Sequence, residues 1–242
     1  MTLEALPLMI AVFAGSVLQA GVGIGFSIVV APFMMIMLGT ATAIPLLLLL
    51  NTLVSLAAID WASWRAEADV IRYSIVGALG GIFGGLAIYP LLSEAMLLSL
   101  AASFLFIGLV VSFVPRLPLI GTRGIVTVAG ASGMTTAWAA MPGPLMVIGL
   151  LASGRTSGQA RVLVQPIAFV AYGVAFTLHG LTNWSLVSEA PWLVTFVATT
   201  IAGALLGRMV GGYLPLPVIK FSTSIISVFA CIALVRRAMQ LG

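Results

Sequence analysis

Four polar side chains stand where the chain is otherwise apolar. Arg161 and Gln165 are four residues apart, so a helix puts them on one face. Asn51 sits in LLLNTL and Arg208 in GALLGR, both inside hydrophobic runs. An amide donates hydrogen bonds without adding charge. A guanidinium meets an oxyanion with two parallel N–H donors. An arginine deep in a membrane helix costs roughly 2.5–3.5 kcal/mol on insertion scales and marks a functional position by default. Two backbone interruptions complete the set: Gly21, Gly23 and Gly25 in GVGIG, and Pro142, Gly143 and Pro144 in MPGP. Proline removes a helical N–H and glycine weakens the helix. Amides freed where a helix resumes carry partial positive charge and bind anions. Ser27, Ser132, Thr135 and Thr136 lie close enough in sequence to add hydroxyls. Together these residues read as a small-anion site. Structural readings stand beside it: the two amides as interhelical polar glue, worth roughly 0.6–2 kcal/mol, and Arg208 as an arginine snorkelling from a helix end.

The elements that must hold such a site are set by composition. The chain has 242 residues, 62% hydrophobic and only 7% charged, with a mean hydropathy of +1.24. A soluble domain carries about 25% charged residues, so a soluble enzyme or secreted binding domain is excluded and the natural solvent is lipid. The net charge of +4 and pI of 9.8 do not point to nucleic acid. The basic residues, all arginine except Lys220, are scattered between apolar runs and set orientation instead. The first twenty residues lack the basic flank of a signal peptide and read as retained membrane structure.

Little of the usual catalytic inventory is present. The single cysteine, Cys231, rules out an internal disulfide and cysteine-based metal clusters. The single histidine, His179, ends a hydrophobic run and reads as a membrane-interface histidine. The acids Glu4, Asp60, Glu67, Asp69, Glu94 and Glu189 all fall at run ends or in loops, which argues against a carboxylate proton relay. GVGIGF lacks the third glycine of a dinucleotide fingerprint. No enzymatic activity, cofactor or metal is expected. The expected partners are a small anion and the bilayer, and a homo-oligomer is compatible with the sequence.

A bilayer-crossing helix needs about 20 apolar residues. Marking charges and Gly/Pro breaks gives eight hydrophobic segments: 5–38, 43–59, 73–92, 95–114, 125–152, 162–182, 191–213 and 218–235. The stretch 60–72, DWASWRAEADVIR, reads as the most polar loop. Trp61, Trp64, Trp184 and Trp192 fall near segment ends, as an interfacial aromatic belt requires, whereas Trp138 lies inside one.

The two halves match each other. APFMMIMLG aligns with GPLMVIGLL at a shift of 112, which also pairs Gly21 with Gly133. LLLNTLVSLA aligns with VLVQPIAFVA at 114, pairing Asn51 with Gln165. GGIFGG aligns with GALLGR at 123, pairing Gly85 with Arg208 and so turning Arg208 toward the bundle. The chain reads as two membrane repeats, 1–118 and 119–242, each opening on a broken segment. Paired interruptions in two halves are the sequence pointer to a transporter site. The rows Gly77, Gly81, Gly85 and Gly203, Gly207, Gly211 read as close-packing stripes.

Charge discriminates between topologies. With eight straight crossings, six basic residues face one side and four the other. If 5–38 and 125–152 are re-entrant hairpins, residues 65, 72, 116, 123, 155, 161, 208 and 220 share one side against Arg236 and Arg237. That second arrangement satisfies the positive-inside rule better and makes the repeats inverted.

The pattern resembles the TauE/SafE sulfite exporter family of bacterial membrane transporters. The features that carry the resemblance are AGSVLQAGVGIGFSIVVAPFM (14–34), the LLLNTL run, and the weaker second copy ASGMTTAWAAMPGPLMVIGLL. It spans nearly the whole chain. Ser27 and Ile28 stand where family members often carry more glycines, and MPGP is proline-heavy. The resemblance implies a multi-pass protein of the bacterial inner membrane that moves sulfite, organosulfonates or other small sulfur anions. The residues alone also accommodate an anion channel, a transporter of non-sulfur carboxylates or, remotely, a scaffold subunit. Candidate site residues are Asn51, Gln165, Arg161, Arg208, Gly21, Gly23, Gly25, Ser27, Thr135, Thr136 and Gly143.

Overall fold

The structure, a computed structural model, describes residues 6–23, 25–111, 113, 118–141, 143–188, 192–213 and 216–242, without the side chains of 181–188, 212, 216 and 220. Glu4, Arg116, Pro142 and Glu189, and the side chains of Trp184 and Lys220, therefore lie outside the described residues. The described elements are all helices, the form that satisfies every backbone group internally in lipid. They are α1 (Leu6–Val22), α2 (Phe26–Leu38), α3 (Thr40–Ala58), the short α4 (Trp61–Ala66), α5 (Ala68–Ile88), α6 (Glu94–Val111), α7 (Thr122–Ala139), α8 (Gly143–Ala152), α9 (Ser157–Ser188), α10 (Leu193–Val210) and α11 (Leu216–Met239). Single 3-10 turns follow α5 and α10.

Among the described residues, six helices are long and apolar enough to cross a membrane: α3, α5, α6, α9, α10 and α11. Their outer faces are apolar too. Val194, Met209 and Phe229 are 82%, 76% and 69% exposed, whereas Leu46, Leu47 and Leu48 on α3 are fully buried. Large apolar side chains pointing outward at this density require a lipid surround. The chain is a multi-pass helical membrane protein.

Both expected breaks occur where glycine and proline place them. After α1, Gly23 and Gly25 take φ of +87° and +136°, a region that glycine enters without steric cost. α2 then folds back along α1: Gly15 abuts Phe26 and Val30, and Gly25 abuts Leu18. After α7, Ala140 takes φ +53°, and its N–H caps the helix on the Thr136 carbonyl. α8 folds back along α7, with Gly149 against Val128. Each interrupted segment is thus a helical hairpin rather than a kinked rod.

The glycine rows bring helices into backbone contact. A methyl at Gly77 or Gly81 would run into the carbonyl oxygens of Val126 and Gly130, so α5 lies parallel to α7 at the closest approach. Gly203, Gly207 and Gly211 meet the carbonyls of Phe13, Val17 and Gly21 in the same way, holding α10 parallel to α1. α3 packs on α9, and α6 on α11, where the Cys231 thiol donates to the Ala102 carbonyl at 3.3 Å.

One register is corrected. The shift of 123 pairs Gly80 and Gly84 with Gly203 and Gly207, yet Gly80 and Gly84 face open space while Gly203 and Gly207 face α1. The inward residues of α5 are Gly77, Gly81 and Gly85. A slip of one residue rotates a helix position by about 100°. That slip is why Arg208, expected to face the bundle, is exposed on the last turn of α10.

Three local expectations also change. Most of the polar stretch 60–72 is helical, because Asp60 caps α4 by accepting from the Ala62 amide (3.0 Å) and the Ser63 hydroxyl (2.7 Å). Those bonds hold the Asp60 carboxyl below its ordinary value. α9 starts at Ser157 rather than near 162, so Arg161 lies inside the helix. His179 is buried within the protein: its Nε2 lies 3.0 Å from the Ala137 carbonyl oxygen, and its ring meets Tyr89 edge-on at 4.8 Å. Trp138, the tryptophan inside a segment, donates its indole N–H to the Gly85 carbonyl at 2.9 Å across the α5–α7 contact.

Candidate functional site

The first break exposes backbone groups that need partners, and an amide chain supplies them. Gln19, in the last turn of α1, accepts from the Phe26 amide at 3.3 Å and so caps α2. Its amide nitrogen donates to Gln165 Oε1 at 3.1 Å. The Gln165 nitrogen donates in turn to the carbonyl oxygens of Gly23 and Arg161. Gln165 thereby ties α9 to the turn between α1 and α2. Gly23 lies directly against the Arg161 backbone, where a methyl would stand 3.0 Å from Arg161 Cβ and O.

Ser27 joins the first break to the second. Its hydroxyl lies 2.9 Å from the Ala140 carbonyl oxygen, 3.2 Å from Asn51 Oδ1 and 3.2 Å from the Tyr172 hydroxyl. Asn51 donates back to the Leu47 carbonyl of its own helix at 2.9 Å. On the far side of this junction the threonines brace the second break. Thr135 Oγ1 bonds the Ser132 and Met141 carbonyls, and Thr136 Oγ1 bonds the Ser132 carbonyl.

A cavity of about 270 Å³ lies against the first break. Its inner end is formed by Gln19, Gly23, Gly25, Ser27 and Tyr172, with Gly143 of the second break on the α8 side. Its walls are α6, α8, α9 and α11. It runs from Ser157 in the first turn of α9 to Tyr172, about 22 Å along the axis at ~1.5 Å per residue. Among its described lining residues Arg161 is the only charged one, and no acid lines it. Among the described residues Arg161 has no ion-pair partner, whereas Arg155, nearby in sequence, pairs with Glu67 at 2.9 Å. In the first turn of α2, the Phe26 amide is taken by Gln19 and the Val29 amide by the Gly25 carbonyl. Among the described residues no acceptor stands opposite the amides of Ser27 and Ile28, and both residues line the cavity.

The expected residues separate into three groups. Gly23, Gly25, Ser27, Gly143 and Arg161 line the cavity. Asn51, Gln165, Thr135 and Thr136 do not: all four are buried behind it, with their polar atoms engaged by the protein. Their protein partners lie at or beside the two breaks. Gly21 faces Gly211 in the α1–α10 contact. Arg208 lies apart from the others, in a second cleft shared with Asp60 and Trp61. Two contributors were not singled out from sequence. Gln19 is the only amide on α1 and stands two residues before the glycines, a position that signals a cap. Tyr172, 3% exposed, gives no sequence sign beyond a hydroxyl at the middle of a long apolar run.

Such a cavity can hold a small anion: one free guanidinium, a helix N-terminus at its inner end, and hydroxyls beside apolar wall. The fold and the cavity together define a multi-pass membrane protein with a cavity lined in part by interrupted helices. No protein-family model, no curated protein and no solved structure matches the chain.

Proposed function

We propose that this protein is a secondary transporter or facilitator that moves a small sulfur-containing oxyanion, sulfite or an organosulfonate, across the bacterial inner membrane. The observation that carries the anion part is Arg161, the one charged side chain among the cavity's described lining residues, standing without an ion pair beside the first break. A half-buried cation that no described residue pairs with, on the wall of a cavity between membrane helices, calls for a mobile counter-ion. The sulfur part rests on the TauE/SafE resemblance.

The contacts support inverted repeats with re-entrant first segments. Each broken segment folds back on itself, and three long helices follow each one. The two halves also trade equivalent contacts. The third helix of each half, α5 or α10, lies parallel to the first helix of the other, α7 or α1. Given that the first segment of each half folds back, both pairs are parallel only with an odd number of crossings per half. The Arg155–Glu67 bond joins the α3–α5 and α8–α9 connections, and the Arg208 cleft joins the end of α10 to Asp60, so the basic connections gather at one end. By the positive-inside rule that end is cytoplasmic, and the cavity runs toward it from the midplane.

The test is flux in proteoliposomes. Sulfite or a short alkanesulfonate is expected to cross at least tenfold faster with protein than without, and Arg161→Gln removes that increment. A panel of sulfite, alkanesulfonates and taurine that crosses no faster with protein than without overturns the proposal.

A further inference from the structure

Resting on that reading, we infer that the cavity selects singly charged anions carrying an apolar tail over dianions and zwitterions. Three features of the wall argue for this. First, the described lining offers a single cation, Arg161. A second negative charge on the ligand would enter a membrane-depth site with nothing to neutralise it. Second, no carboxylate lines the described wall, so an ammonium group on the ligand finds no ion pair there. Third, the walls facing Arg161 are apolar: Leu105 and Leu109 from α6, Val147, Ile148 and Leu151 from α8, and Ile219 from α11. Hydroxyls also line the cavity at Ser157, Thr223, Ser224 and Ser227, and those of Thr223 and Ser227 each donate to a carbonyl of their own helix at 2.8 Å. The charged donor available to an anion is therefore Arg161, whose backbone lies against Gly23 of the first break, with apolar wall around it. The volume of about 270 Å³ holds about nine waters at ~30 Å³ each. That is room for an anionic head and roughly three or four methylenes.

The experiment is calorimetric titration of the detergent-purified protein with methane-, ethane-, propane- and butanesulfonate, against sulfite, sulfate and taurine. Affinity is expected to rise about fourfold per methylene, the gain for moving each CH2 out of water. Sulfate and taurine are expected to bind at least tenfold more weakly than ethanesulfonate. Arg161→Gln abolishes binding of the whole series. Ile148→Thr keeps methanesulfonate binding and flattens the rise, which separates a lost wall from a misfolded protein. An Arg161-dependent affinity that is flat along the series, or sulfate or taurine binding as well as butanesulfonate, overturns the selectivity and leaves the transport reading standing. Binding of none of the seven compounds, together with no flux, overturns both.

Discussion

The two helix breaks do the same geometric job with different chemistry. At the first, the chain turns through glycines at φ +87° and +136°, and the freed backbone is held by Gln19 of α1 itself and by Gln165 of α9. At the second, the turn passes through an alanine at φ +53° and is braced by Thr135 and Thr136 of the same helix and by the Ser27 hydroxyl of α2, which reaches the Ala140 carbonyl. Each break is held partly by its own helix and partly from across the bundle, the first from α9 and the second from α2. A break held across the bundle is coupled to whatever moves the other helix, and for the first break that helix is α9, which carries Arg161. On the proposed function, the first break, tied to the helix that carries Arg161, is the one that meets the anion.

Breaking the long-range clamp should have the largest effect. Gln165→Leu leaves the Gly23 carbonyl and the Gln19 amide buried without partners, at about 1–3 kcal/mol each. Thermal unfolding should show a loss near the upper part of that range, together with loss of anion-induced stabilisation. Gly23→Ala comes next. It places a side chain in a left-handed conformation, at about 1–2 kcal/mol, and presses a methyl onto the Arg161 backbone. Its expected signature is weaker anion binding out of proportion to the change in Tm. Thr135→Val removes only a local brace, about 1 kcal/mol, and should leave anion affinity unchanged. Ala140→Gly should be the mildest of the four, because relief of the left-handed alanine offsets the loss of one buried methyl. If Thr135→Val weakened anion binding as much as Gly23→Ala, the division of labour between the breaks would be wrong.

Much of this architecture is legible in the sequence because lipid leaves few reasons for certain residues. Glycines at four-residue spacing in a membrane helix serve close packing, and both rows do so. Glycine and proline clusters inside long apolar runs mark the ends of α1 and α7 to within a few residues. Facing is harder to read. Gly80 and Gly84 form a second row beside Gly77, Gly81 and Gly85, and only the packing of α7 decides between them. That ambiguity carried Arg208 to the wrong side. Roles are harder still. Asn51 and Gln165 stand out as amides in apolar runs, but whether an amide meets a ligand or a freed carbonyl depends on where the chain turns back. Gln19 had no amide counterpart in the second half, so the internal repeat could not point to it.

The central claim is that an anion-binding cavity runs from the arginine-rich end of the protein to the first break. Val147 lines it on α8, and replacing it with cysteine in a Cys231→Ala background puts a thiol on its wall. The measurement is labelling of that thiol by a membrane-impermeant maleimide in inside-out and right-side-out vesicles, with and without butanesulfonate. The account predicts labelling from the cytoplasmic face in inside-out vesicles, slowed by butanesulfonate, with the slowing lost when Arg161→Gln is added. Labelling only from the opposite face, or labelling at a rate that the anion does not change, would contradict it.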